Sequence, residues 1–278
     1  MFSNAADSLR HPLLSGLLLA SFCLLTGALA NAQGDDLFTA ASKGDLPRVK
    51  VLLKGNPNLL FSKDESGQTL LHYAAEGYFT RTEGVRVAGT LELLYEIPYE
   101  PQPSAVVKFL LANKLDVNAK DKNGVTPLHL VSNGRKAELL LAHGADVNAR
   151  DKFGTTPLHN AVSSGFKDVA AVLLAHKADV NAKDSNGNTP LLIDDSYTDV
   201  ARLLLAAKAD VNARGNEGKT RLYESSYFGN KDMVALLLAH GANVNARNNN
   251  GRTPLDAAEE DPHNEGVAEL LRQHGGQE

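Results

Sequence analysis

Two phrases recur in register along this chain, and a chain that repeats itself at a fixed period folds by stacking one small unit on the next. The first, D-x-x-G-x-T-P-L, occurs as DKNGVTPLH at 121–129, DKFGTTPLH at 151–159, DSNGNTPL at 184–191 and NNNGRTPL at 248–255. Weaker copies stand at 64–72 (DESGQTLLH) and 215–222 (GNEGKTRL). The second phrase precedes the first, as LLLAHGADVNAR at 139–150, LLLAAKADVNAR at 203–214 and LLLAHGANVNAR at 236–247, with close matches at 110–120 and 173–183. The marker glycines are Gly67, Gly124, Gly154, Gly187, Gly218 and Gly251; their spacings of 57, 30, 33, 31 and 33 make 33 residues the natural period.

Each unit reads as a turn and two short helices. In DKFG at 151–154 the glycine supplies a backbone position that other residues reach only under strain. Thr156 stands where a hydroxyl caps a helix, and Pro157 takes the first helical position, where a missing N–H costs nothing. Leu158, Ala161 and Val162 give a short apolar face. Gly165 breaks the chain, and Val169 to Ala175 form the second helix, with Val169, Val172, Leu173 and Leu174 turned to the core. A glycine such as Gly144 ends that helix in a left-handed conformation, and Val180 of ADVNA is expected to be buried. Helices of about eight to ten residues are marginal alone, so each unit depends on its neighbours.

On these repeated phrases the chain closely resembles the ankyrin-repeat family over about 35–275, and is similar to bacterial exported ankyrin-repeat domain proteins. The resemblance implies an all-α repeat solenoid of stacked helix-turn-helix units carrying β-hairpin-like fingers. Seven units are expected: an N-terminal cap at 35–63, a unit at 64–120 with an insertion at 77–104, units at 121–150, 151–183, 184–214 and 215–247, and a C-terminal cap at 248–275. It also implies that the histidine after Thr-x-Leu makes structural hydrogen bonds between neighbouring turns. The function to expect is non-catalytic protein–protein interaction outside the cytoplasm, through finger tips, a concave face and the insertion. The alternatives are a structural or protective accessory subunit of an envelope complex, or a cytoplasmic adaptor whose N-terminus only imitates an export signal.

That N-terminus carries Arg10, then an uncharged run from Leu13 to Ala30, then small residues and NAQGDD. This is the layout of a secretory signal peptide over 1–32, with cleavage after Ala32 and a mature start at Gln33. The alternative is an anchor at 13–30, a run of 18 residues near the lower limit for a span. Cys23 is the only cysteine and follows Phe22, a poor context for lipid attachment; one cysteine also excludes a disulfide framework. Lys and Arg total 28 against 33 Asp and Glu, a net charge of −5 that gives no overall pull toward nucleic acid. The mature protein is expected to be monomeric in isolation, without stable membrane insertion, and to bind an unidentified protein partner.

The departures from the repeat carry more information than the repeat. The interval from Gly67 to Gly124 exceeds one period by 24 residues. The surplus falls within 77–104 and holds Tyr78, Phe79, Tyr95 and Tyr99 with Leu91, Leu93, Leu94 and Ile97. Segments 82–87 and 90–95 suit two short strands, and Ser104 is placed to cap the helix that follows. A loop this long either packs its own aromatics on the flank of the array or recognises a partner. The units at 121–150 and 184–214 are short by three and two residues, and the unit at 215–247 has Arg221 and Tyr223 where Pro and His are usual. First helices there should be shortened or shifted.

Nothing in the chain supports enzyme chemistry. His72, His129 and His159 recur at one repeat position, and the stack holds such residues roughly 10 Å apart, too far to share one zinc ion. Asp194 and Asp195 point apart on a helix. No nucleophile elbow, HExxH or phosphate loop is present, and the Asp-Val-Asn phrases lack the spaced ligand set of a calcium loop. Neither a cofactor nor a metal is expected. The partner-binding candidates are the tip residues that vary between otherwise matching copies: Lys122, Asn123 and Val125; Lys152, Phe153 and Thr155; Ser185, Asn186 and Asn188; Asn216, Glu217 and Lys219; Asn249, Asn250 and Arg252. Phe79, Tyr95 and Tyr99 of the insertion join them. Phe153 is either an interface anchor or a contact with the neighbouring finger.

Overall fold

The computed structural model describes residues 34–77, 103–193, 197–215 and 217–277. The signal segment, Asp194 and Asp195, Asn216, and Phe79, Tyr95 and Tyr99 of the insertion lie outside the described residues.

Helices alternate along the chain between an inner and an outer row. The inner row holds α1 (34–42), α3 (Leu70–Glu76), a 3-10 turn (Pro127–Leu130), α6 (Pro157–Ser163), a 3-10 turn (Pro190–Leu192), α9 (Arg221–Tyr227) and α11 (Pro254–Ala258). The outer row holds α2 (Leu46–Gly55), α4 (Pro103–Ala112), α5 (Gly134–Ala142), α7 (Lys167–Ala175), α8 (Thr198–Ala206), α10 (Lys231–Ala239) and α12 (Glu265–Gln273). Each outer helix packs on the next, from α2 against α4 through to α10 against α12. One apolar seam runs between the rows from Leu37 to Leu271. Val169, Ala170 and Leu173 of α7 are buried, while Val172, Leu174 and Val180 are only half-buried against the seam.

The β-hairpin fingers expected from the resemblance are absent: the described residues contain no strand and a single isolated bridge, between Lys63 and Thr69. Four fingers are turns closed by an Asp side chain, Asn248 closes a fifth with its amide oxygen, and the turn at Gly215 is closed by backbone bonds. Asp151 Oδ1 accepts from the N–H groups of Phe153 (2.8 Å) and Thr155 (2.9 Å), and Asp151 and Thr155 share one backbone bond. With the carboxylate satisfying the donors that a second strand would take up, a ladder has nothing to extend into. Neighbouring turns are joined instead by one backbone bond each: Lys122 to Ser66 (2.8 Å), Lys152 to Asn123 (2.8 Å), Ser185 to Phe153 (2.8 Å) and Asn249 to Glu217 (3.0 Å).

The recurring Asp-Val-Asn phrase forms a second seam. Asn118 Oδ1 accepts from Asp146 N–H (2.8 Å) and its amide donates to Gly144 O (2.9 Å). Asn148, Asn181, Asn212 and Asn245 repeat this bridge to the following unit. Each phrase therefore fastens its unit to the next one.

The two units with missing residues have single 3-10 turns in the inner row, so their shortening falls where the residue count places it. The unit at 215–247 does not follow that expectation. Arg221 is buried at the first position of α9, and α9 is seven residues long, as α6 is. Ser104 is also not a cap: it lies inside α4, its hydroxyl buried without a hydrogen-bond partner among the described residues.

Candidate interaction surface

The recurring histidines belong to the scaffold. Thr69 N–H donates to His72 Nδ1 (3.1 Å), which leaves the ring proton on Nε2 to donate to Val125 O of the next turn (3.0 Å). His129 repeats this with Thr126 and Thr155 O, and His159 with Thr156 and Asn188 O. Burial lowers the pKa of all three below the ordinary 6.5, and the backbone acceptor opposes the shift only in part. Below pH 6.5 the unfolded chain takes up protons that the folded rings refuse. The stability these rings contribute is therefore complete above pH 6.5 and is lost as the pH falls through their folded values. Denaturant unfolding between about pH 7.5 and about pH 5 should show a falling midpoint, and replacing His159 with Gln should flatten the fall.

The unit at 184–214 lacks such a histidine. Leu192 holds its position, and the buried Thr189 hydroxyl is left without a partner among the described residues. Leu192→His restores a partner for Thr189 and places a donor toward Lys219 O. It should raise stability by about 1 kcal/mol, read as a higher thermal midpoint.

The finger tips have a backbone held by turn and inter-turn hydrogen bonds. Lys122, Asn123, Lys152, Phe153, Ser185, Asn186, Glu217, Asn249 and Asn250 are exposed, with Phe153 at 65%. Val125, Thr155, Asn188, Lys219 and Arg252 are half-buried. Arg252 is held by Glu260 and by Asp256 O, and Lys219 lies between Glu217 (2.7 Å) and Glu224 (3.3 Å). The tips thus form one row spaced by the repeat, and three of them present an ion pair or an aromatic ring.

Beside the row, the two shortened inner turns leave hollows. One, of about 600 Å³, lies between Glu76 and Gly77 on one side and Ser163, Ser164 and Phe166 on the other, over the turn at 127–130. The other, of about 740 Å³, lies over the turn at 190–192 with Leu192, Ile193 and Phe228 in its lining.

Two features escape a reading of the tips alone. Tyr227 and Phe228 end the inner helix of their unit, where the unit at 151–183 has Ser163 and Ser164. They are 44% and 60% exposed and stack edge to face at 5.1 Å. Aligning the columns of the repeat exposes this pair, because aromatics there have no core to enter. The second feature is Lys136, fully buried at the outer-helix position that is Val106, Val169, Val200 and Met233 elsewhere. Its ammonium donates to Ala75 O (3.0 Å) and Ser132 Oγ (3.4 Å), closing the C-terminus of α3. Gly77, at φ +51°, leaves the room this requires, since a Cβ there would collide with Lys136 Nζ.

The family model for ankyrin repeats matches residues 99–184, 132–213 and 192–278, most of the chain. The chain belongs to the ankyrin-repeat family. No curated protein matches it. Among the described residues no group of three His, Cys, Asp or Glu side chains is placed to hold a metal, and the buried histidines serve the turns. No described helix is long and apolar enough to cross a membrane.

Proposed function

We propose that this ankyrin-repeat chain is exported and binds a protein partner through its finger tips and the adjoining concave face. The supporting observation is the row of tips. Their backbones are held by hydrogen bonds within each turn, a carboxylate at Asp151 among them, and by one bond to the neighbouring turn, while Lys152, Phe153 and Glu217 remain exposed. A fixed backbone lowers the ordering cost of binding, and an exposed aromatic supplies an anchor. Export is supported by the uncharged run from Leu13 to Ala30 and the Ala-Asn-Ala that ends it. The aromatic-rich insertion at 77–104 is included in the proposal on its composition, through Phe79, Tyr95 and Tyr99.

Two measurements test this. N-terminal sequencing of the native protein should begin at Gln33 in the extracytoplasmic fraction; a start at Met1 in a soluble cytoplasmic fraction refutes export. Replacing Lys152, Phe153 and Glu217 together with Ala should weaken binding to a co-purifying partner at least about tenfold with an unchanged helical signal. Undiminished binding would remove the tips from the interface.

A further inference from the structure

We infer that the hollow over the turn at 190–192 receives a basic, extended peptide segment that inserts one apolar side chain beside Phe228. This rests on the protein-binding reading above and names the chemistry of the partner.

The floor and the rim of the hollow differ in kind. Leu192, Ile193 and Phe228 supply apolar surface where a full inner helix would otherwise pass. Phe228 stands 60% exposed on the far side, braced by Tyr227. A ring held out in this way gains by covering, and the opening admits a side chain rather than a folded domain face.

The rim carries Asp184, Glu217 and Glu224 against the ammonium of Lys219. Lys219 is already shared between Glu217 and Glu224. Asp184 turns its carboxylate to the backbone of its own finger, at Asn186 and Asn188 N–H (2.8 Å each), and no cation among the described residues pairs with it. The charge left over is negative on both sides of an apolar slot. Such an arrangement attracts lysine or arginine flanking an aliphatic or aromatic residue, and repels an acidic segment. The rim also provides polar groups from the tips, Asn186 and Asn188, for the backbone of an extended peptide. The first hollow lacks this asymmetry: its lining holds one carboxylate, Glu76, and the Lys136 ammonium stands next to Gly77.

The experiment is fluorescence anisotropy with the full chain and labelled peptides of about eight residues. One carries a Leu-Phe pair between Arg-Lys pairs, a second has Glu-Asp pairs in their place, and a third keeps the basic pairs around Ser-Ser. The first should bind at least about tenfold more tightly than either of the others and weaken with added salt. Phe228→Ser, which installs the residue found at the equivalent Ser164, should lose about tenfold for the first peptide while keeping the helical signal. Glu217→Gln combined with Glu224→Gln should also weaken it and flatten the salt dependence. Equal binding of the acidic peptide, equal binding of the Ser-Ser peptide, or an unaffected Phe228→Ser variant would each overturn the inference. The triple change at Lys152, Phe153 and Glu217 separates the two readings. If it abolishes binding of a co-purifying partner while the basic peptide fails, the protein-binding reading stands and the proposed peptide chemistry falls.

Discussion

Leu173→Ala should cost about 2–5 kcal/mol in denaturant unfolding, and Leu271→Ala distinctly less. Both leucines are fully buried and both lie on outer helices, so the local chemistry of the deletion is the same. The difference is in what surrounds them. Leu173 sits on α7, which is held between α5 and α8 and packs on α6. The cavity left there is walled by units that cannot move without breaking two interfaces. Leu271 sits on α12, with α10 behind it and α11 beside it, and no further unit beyond among the described residues. A terminal unit of a one-dimensional stack opens locally at less than the global cost, so a cavity in it is partly relieved by that opening. Equal losses for the two variants would show that the C-terminal unit is as firmly held as the interior.

Lys136→Met should stabilise the protein at neutral pH, and its advantage over the parent should shrink by about 3 kcal/mol as the pH rises from about 8 to about 10.5. Burial pushes the Lys136 ammonium down to about 8, against an ordinary 10.5, while the charge of Glu76 opposes the change. Between those two values the unfolded chain holds a proton that the folded chain has released, so stability rises with pH across that window. Each tenfold change in proton affinity between the folded and unfolded chain corresponds to about 1.4 kcal/mol, which sets the size of the effect. Methionine is the residue that the unit at 215–247 uses at this position, so the seam accepts it. The variant gives up the bond to Ala75 O, but a buried charge replaced by a packed apolar chain is neutral or favourable in most cases. Parallel stability–pH curves for parent and variant would refute a destabilising buried charge. Lys136→Ala leaves both a cavity and an open helix end, and should lie below the parent at every pH.

The repeat phrases made the order of elements legible, because each letter of D-x-x-G-x-T-P-L has a local physical task. Asp121 closes its own turn, Gly124 takes φ +81°, and Thr126 with His129 forms a capping box. The histidines' hydrogen bonds between neighbouring turns were legible through the family resemblance and are seen at His72, His129 and His159; their capping of the helix starts is shown by the structure. The absence of hairpins at the fingers was not legible, since Asp-x-x-Gly reads the same whether its flanks pair or not. What decides is whether the turn's donors meet a second strand or their own carboxylate, as at Asp151. The glycine expected at the helix end is replaced at Lys114, Lys177 and Lys208, which adopt φ of 60°, 65° and 68°. A cation at a helix C-terminus offsets part of that strain through the dipole.

Much of what lies within about one period could be read from the order of residues: the turns, the threonine caps, the order of helices and the family; the missing strands at the fingers, the place of Ser104 and the full-length α9 could not. The legible features depend on contacts between residues a few positions apart, and the chain writes them in plain order. What lies between units emerges only when the units stack. Stacking sets Phe228 at the rim of a hollow, because α9 comes to rest beside a turn of the preceding unit that is too short to cover it. Stacking likewise turns Lys136, polar in any reading of the sequence, into a buried cation under Gly77, because the carbonyl it closes belongs to a helix 61 residues earlier. Local rules fix what each unit is; the voids and charges left when unlike units meet follow from geometry that no single unit contains.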